Sequence, residues 1–249
     1  GDYTLGGSSP YYPAGMFDNS GLLDKTSTGT TRLHLELNNL PGGMLSVQEG
    51  TLQVARFDNE GTANIAADAI LTVQGGTNLA SGLVAGNGLL RTELSGWHLT
   101  NSLTINSFSL EIAGDLSGDA GATLEINGNA SWLGGDISLP VHIASSGIFA
   151  TEGYGSRYLS AALTNDGTFH SNGNWYTDAD VTNNGSLFIG SNGGFSNFSN
   201  KTFTNTSTGV VKFLANYGVY FYMQTINNGL LELLDATVYF NGDLENHAS

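Results

Sequence analysis

The chain has 249 residues, a net charge of −15, only seven Lys plus Arg, and 12% charged residues, about half the usual share. Cations so few and scattered exclude a phosphate-reading nucleic-acid interface and disfavour an anionic membrane surface, and no run of about 20 apolar residues is present to cross a bilayer as a helix. The absence of cysteine fits a bacterial exported protein better than a disulfide-bearing eukaryotic one, and a start at Gly1 reads as a processed chain or an excised piece.

With 35 glycines and abundant Asn, Ser and Thr, turns and short strands are expected, because Gly and Asn supply the φ > 0 positions of tight turns. No periodic run of Glu, Lys, Arg, Gln and Ala supports a long helix. Residues 1–30, with Pro10, Pro13 and Tyr11-Tyr12, read as an irregular opening or cap segment. From 31 to 160, imperfect coils are expected. Gly50 is followed two and four residues later by Leu52 and Val54, and Gly61 by Ala63 and Ile65. Ile70-Leu71-Thr72-Val73 and Ala122-Thr123-Leu124-Glu125-Ile126 are shifted variants. Such alternation marks strands with one buried face.

From 161 to 249 the coils are cleanest. Gly185 leads to Leu187 and Ile189, Gly209 to Val211 and Phe213, and Gly229 to Leu231 and Leu233. Gly167 leads to Phe169, with Ser171 breaking the second position. These anchors lie 18, 24 and 20 residues apart. A period near 20 is too short for a self-sufficient domain and suits one coil of a solenoid covered by its neighbours. The turns Asn165-Asp166-Gly167, Asn183-Asn184-Gly185 and Asn227-Asn228-Gly229 could stack their amides into a ladder. The competing reading of Asn-Gly is a series of antiparallel hairpins. Translation of one register explains the repeated anchor better than reversal does. The expectation is an all-β, right-handed parallel β-helix (β-solenoid) of about 20 residues per coil, about a dozen coils in one domain spanning 1–249.

In Tyr217-Gly218-Val219-Tyr220-Phe221-Tyr222-Met223, Val219, Phe221 and Met223 share one face. An offset of 19 aligns Val219 with Val238 and Phe221 with Phe240, placing Tyr220 and Tyr239 outward and stacked. Trp175 and Tyr176 lie one or two coils earlier. Tyr220, Tyr222, Tyr239, Trp175 and Tyr176 are thus the candidate ligand-binding residues, on a flat amphipathic surface suited to sugar rings or another protein. The alternative is a stabilising cross-coil ladder.

Glu49-Gly50-Thr51-Leu52-Gln53-Val54 resembles the G-T-L-x-V repeat of autotransporter passenger domains. The run from Phe17-Asp18-Asn19-Ser20-Gly21, through Thr28-Gly29-Thr30-Thr31 and Asn38-Asn39, to Gly50 resembles large repeat-bearing secreted bacterial surface proteins. The resemblance implies a right-handed β-helix at the cell surface with a role in adhesion or display.

Enzymes also use β-helices. A polysaccharide hydrolase needs two carboxylates across the scissile bond, and the best pair is Asp178 with Asp180, which at i, i+2 share a face. A lyase needs a base and a charge-neutralising cation, and here the cations are isolated. Asp115, Asp119 and Asp136 read as turn residues. No His-His spacing suits a metal; the charge could attract Ca²⁺, the one cofactor kept in view. The leading expectation is a non-catalytic extracellular structural or adhesive module, with no catalytic or metal site. It could self-associate end to end into a fibre, continue into further repeats, or bind surface glycans. The rivals are a carbohydrate-active enzyme and a glycan-binding module.

Overall fold

The computed structural model describes residues 2–6, 15–153, 157–190, 194–197, 201–214, 218–234 and 236–247. Pro10, Pro13, Tyr11, Tyr12 and Tyr217 lie outside them. The described residues form strands and turns with no helix, hence no helix long and apolar enough to cross a membrane. The fold is a parallel β-solenoid of about 11 turns with coils of about 20 residues. By contact density the chain divides into Gly1–Ala122 and Thr123–Ser249.

In the second unit each coil contributes one strand to each of three rows. One row runs Asn129–Trp132, Ile148–Thr151, Thr168–Ser171, Ser186–Ile189, Val210–Phe213, Leu230–Leu233, every pair parallel. Its offsets include the expected 18, 24 and 20: Thr168 pairs with Ser186, Ser186 with Val210, Val210 with Leu230. Parallel pairing throughout removes the hairpin alternative. Leu187, Ile189, Val211 and Phe213 point into the core as expected. Leu231 is only half-buried and Leu233 is 54% exposed, contrary to expectation. Among the described residues no further strand lies over the one that carries them, so their inward side has no cover.

The first unit starts differently. Two long strands, Thr30–Asn39 and Thr51–Asn59, pair in parallel with a register shift between Leu33 and Glu36. In the next coil the partner of Thr51–Asn59 splits into Ile70–Val73 and Gly76–Asn78. The chain bends there at Gly75-Gly76. Gly76 has φ +117°, and a Cβ on it would lie 2.2 Å from the Phe57 carbonyl oxygen. Leu52 and Val54 are buried as expected. The described part of 1–30 is not irregular. Tyr3–Gly6, Met16–Asn19 and Leu22–Lys25 are strands in parallel register with the next coil. Backbone pairing makes them strands although most of their side chains are exposed, so alternation could not reveal them.

Stacked amides hold both units. Asn19, Asn39, Asn59 and Asn78 donate each to the next at 2.8–2.9 Å. Asn165, Asn183, Asn205, Asn227 and Asn246 do the same at 2.7–2.8 Å. The second ladder is the expected one. It starts at Asn165, whose Oδ1 has no partner because the preceding coil presents Ile143 at that register. The anchor glycines have a different cause from the one expected. Among the anchors only Gly50 has positive φ. A Cβ on Gly185 would lie 2.3 Å from the Gly167 carbonyl oxygen, so glycine is required by close approach of consecutive turns rather than by dihedral freedom.

Candidate functional site

The tyrosines lie on the middle row of the second unit: Gly135–Ile137, Arg157–Leu159, Asn174–Thr177, Gly194–Asn197, Gly218–Phe221 and Thr237–Phe240. Alternation turns Val219 and Phe221 inward, and Met223 is buried with them. The expected register holds: Val219 pairs with Val238, Tyr220 with Tyr239 and Phe221 with Phe240. Tyr220, Tyr222 and Tyr239 are 48%, 48% and 47% exposed. The Tyr220 and Tyr239 rings stack with centroids 4.9 Å apart at 14°, and Tyr222 lies 6.2 Å from Tyr220 at 20°. Further back on the row, Tyr158 and Tyr176 are register partners, half-buried, each between inward neighbours. The row thus carries four outward tyrosines, Tyr158, Tyr176, Tyr220 and Tyr239, and Tyr222 follows directly after the end of Gly218–Phe221. Tyr220 is engaged by both neighbours, so a ligand meets this face mainly at ring edges and hydroxyls and at the outer rings.

Trp175 is not part of that face. It is fully buried, with its indole N–H donating to the Ser171 hydroxyl at 3.3 Å. Its ring lies 5.8 Å from Phe169 and 6.1 Å from Trp132. The register that turns Tyr176 outward must turn Trp175 inward. This also accounts for Ser171: the indole occupies the volume that a larger residue would have filled, and the hydroxyl satisfies its donor.

Asp178 and Asp180 sit in the turn after Asn174–Thr177, each with a partner of its own. The Tyr158 hydroxyl donates to the Asp178 carboxylate, which pushes the phenol pKa up, and the Thr202 backbone N–H donates to Asp180 at 3.0 Å. Asp136, expected in a turn, is inside Gly135–Ile137, in register with Tyr158.

Two histidine clusters were missed by sequence reasoning, because their members come from different coils. In the first unit His98 pairs in register with Ser117. Its Nδ1 lies 2.9 Å from the Ser117 hydroxyl and its Nε2 3.1 Å from Asp119. Serine, histidine and carboxylate thus meet in the order of a hydrolytic triad. Stabilising an oxyanion would need free N–H donors beside the serine. The nearby N–H groups of Trp97, Asp119 and Ala122 already donate to Asp115, Leu99 and Asp119 carbonyls.

In the second unit His142 bridges two carboxylates, Nε2 at 2.8 Å from Asp166 and Nδ1 at 2.7 Å from Glu125. The bond to Asp166, then that to Glu125, outweighs desolvation and raises the His142 pKa. His142, followed by the Asn184 amide, lowers that of Asp166. The imidazole lies between the carboxylates, so the three do not converge on a point where a metal could sit. Among the described residues no group of three or more His, Asp or Glu is placed to hold a metal ion.

Two cations are withdrawn from the surface. Arg157, 1% exposed, donates to the carbonyls of Trp132, Leu133, Glu152, Gly153 and Asn174. Lys25 donates to those of Ser27, Gly29 and Glu49 at the edge of a cleft of about 280 Å³ walled by Leu5, Leu23 and Leu33. Burial lowers both pKa values, and the carbonyl cages occupy the donors a ligand would need. Comparison with family models, curated proteins and solved structures gives no match.

Proposed function

We propose that the chain is a non-catalytic structural or adhesive module of an exported bacterial surface protein, with the tyrosine row of the second unit as its contact face. The observation that carries the reading is four outward tyrosines on one strand row with Tyr222 beside them, of which Tyr220, Tyr222 and Tyr239 are about half exposed on two consecutive coils. Tyrosine offers a large amphipathic surface at low entropic cost, suited to sugar rings or to another protein. The exported setting rests on the cysteine-free composition and the passenger-like repeats. A carbohydrate-active enzyme is the weaker reading, since Asp178, Asp180 and Ser117 each lack a complement of free groups around them.

Self-association is the second component. Leu230, Leu233, Leu234 and Leu244 are exposed on the last coil, as are Tyr3, Leu5, Met16 and Leu22 on the first strands. Their strands pair on one side only among the described residues. Such edges accept a further strand, from further repeats of a longer chain or from a second copy, and head-to-tail docking of copies would propagate as a fibre.

A glycan array probed with the wild-type chain and with Tyr220→Ala/Tyr239→Ala tests the contact face, with melting curves to verify that the variant is folded. Binding that disappears in the folded double variant supports the reading. Binding that survives, or no binding by the wild type, contradicts glycan recognition at this face.

A further inference from the structure

We propose that Tyr220 and Tyr239 form an oxidative cross-linking site, coupled into dityrosine by a peroxidase-type one-electron oxidant with hydrogen peroxide as co-reactant. The parallel backbone pairing of Gly218–Phe221 with Thr237–Phe240 holds the two residues in register. Their rings stack at 4.9 Å and 14°. About half of each residue faces solvent, where an oxidant reaches it. Among the other aromatics, Trp97, Trp132 and Trp175 are buried and the Tyr158 hydroxyl is held by Asp178, while Tyr3 and Tyr222 are exposed, Tyr222 lying farther from Tyr220, at 6.2 Å, than Tyr239 does. With no cysteine in the chain, no thiol intercepts the radical.

The chemistry closes without other reactants. Each phenol gives up one electron and its hydroxyl proton. The two radicals join through a new bond between ring carbons ortho to the oxygens. Each of those carbons then releases its hydrogen as a proton while the oxygen regains one. The pair has lost two hydrogens overall, and hydrogen peroxide takes up two electrons and two protons to become two waters.

The bond ties consecutive coils at positions already in contact, so it requires side-chain rotation but no change of fold. Closing this covalent loop removes conformations from the unfolded chain alone, which stabilises the coils it joins. The inference does not rest on what the tyrosine face binds.

The test is dilute full-length chain treated with peroxidase and hydrogen peroxide. Expected are dityrosine fluorescence, a product that stays monomeric and is lighter by two hydrogens, a peptide map joining Tyr220 to Tyr239, and a higher melting temperature. Tyr220→Phe and Tyr239→Phe keep a ring in the stack, and each should lose most of the intramolecular product; Tyr222→Phe should retain it. Absence of an intramolecular product in the wild type, a map to another pair, or persistence in both phenylalanine variants would overturn the proposal.

Discussion

Asn205 occupies the middle of the longer amide ladder, fully buried, accepting from Asn183 and donating to Asn227. Removing its amide leaves a donor and an acceptor unpaired in the interior, each costing about 1–3 kcal/mol. Asn205→Leu is therefore expected to lower the unfolding free energy by about 2–5 kcal/mol in urea titrations. Asn165→Leu, at the end of the ladder where one acceptor already goes without, should cost less; equal losses would show that the ladder does not act as a chain. His142 gives a pH signature. Its pKa is raised in the fold, so its contribution is fully present below the unfolded value and is lost as pH rises through the folded one. Asp166, whose pKa is lowered, contributes above its unfolded value and loses that contribution as pH falls through the folded one. The same contact is counted in both, and it is strongest in mildly acid solution. Replacing His142 by Gln should therefore narrow the difference in melting temperature between about pH 5 and about pH 8.5, a window bracketing the ordinary histidine range. An unchanged difference would show that the bridge carries no stability.

At the scale of elements, the turns decide how closely coils can stack. A methyl at Gly185 collides with the Gly167 carbonyl, whereas Gly21 has nothing within 4 Å of its added Cβ. Gly185→Ala is expected to destabilise by about 1–3 kcal/mol and Gly21→Ala to stay within about 0.5 kcal/mol of wild type. Comparable losses at both sites would refute the close-approach account. The anchor glycines were visible in the sequence, but the reason for them was not, because the colliding carbonyl belongs to another coil. The same limit explains the aromatic assignments. Tyr220 and Tyr239 were found by aligning two segments whose inward residues, Val219 with Val238 and Phe221 with Phe240, are alike. Trp175 was misplaced because Ser171 hid the apolar alternation in its coil. The bridges at His98 and His142 join residues 17 to 24 positions apart with no shared motif, so only the register of each coil reveals them.

At the scale of the whole molecule, a net charge of −15 opposes association of copies, while exposed apolar side chains on the first and last strands favour it. Raising salt from about 0.01 M to about 0.15 M shortens the screening length from about 30 Å to about 8 Å, so sedimentation should show larger species at the higher salt and at higher protein concentration. A mass independent of both would contradict end-to-end docking. The solenoid was legible in the sequence because many coils, above all those after residue 160, repeat the same local grammar of turn, glycine and alternating strand. The tyrosine face was only partly legible, since a face is made of residues that the register brings together. That register is the central claim, and the cysteine-free chain allows a direct test. Thr182 and Thr204 are partners on adjacent parallel strands. Strands about 4.8 Å apart bring such partners within the Cα range that a disulfide spans. Mild oxidation of Thr182→Cys/Thr204→Cys should close an intramolecular disulfide, while Thr182→Cys/Thr202→Cys, two residues out of register, should remain reduced. A disulfide in the second pair and none in the first would contradict the stacking of coils described above.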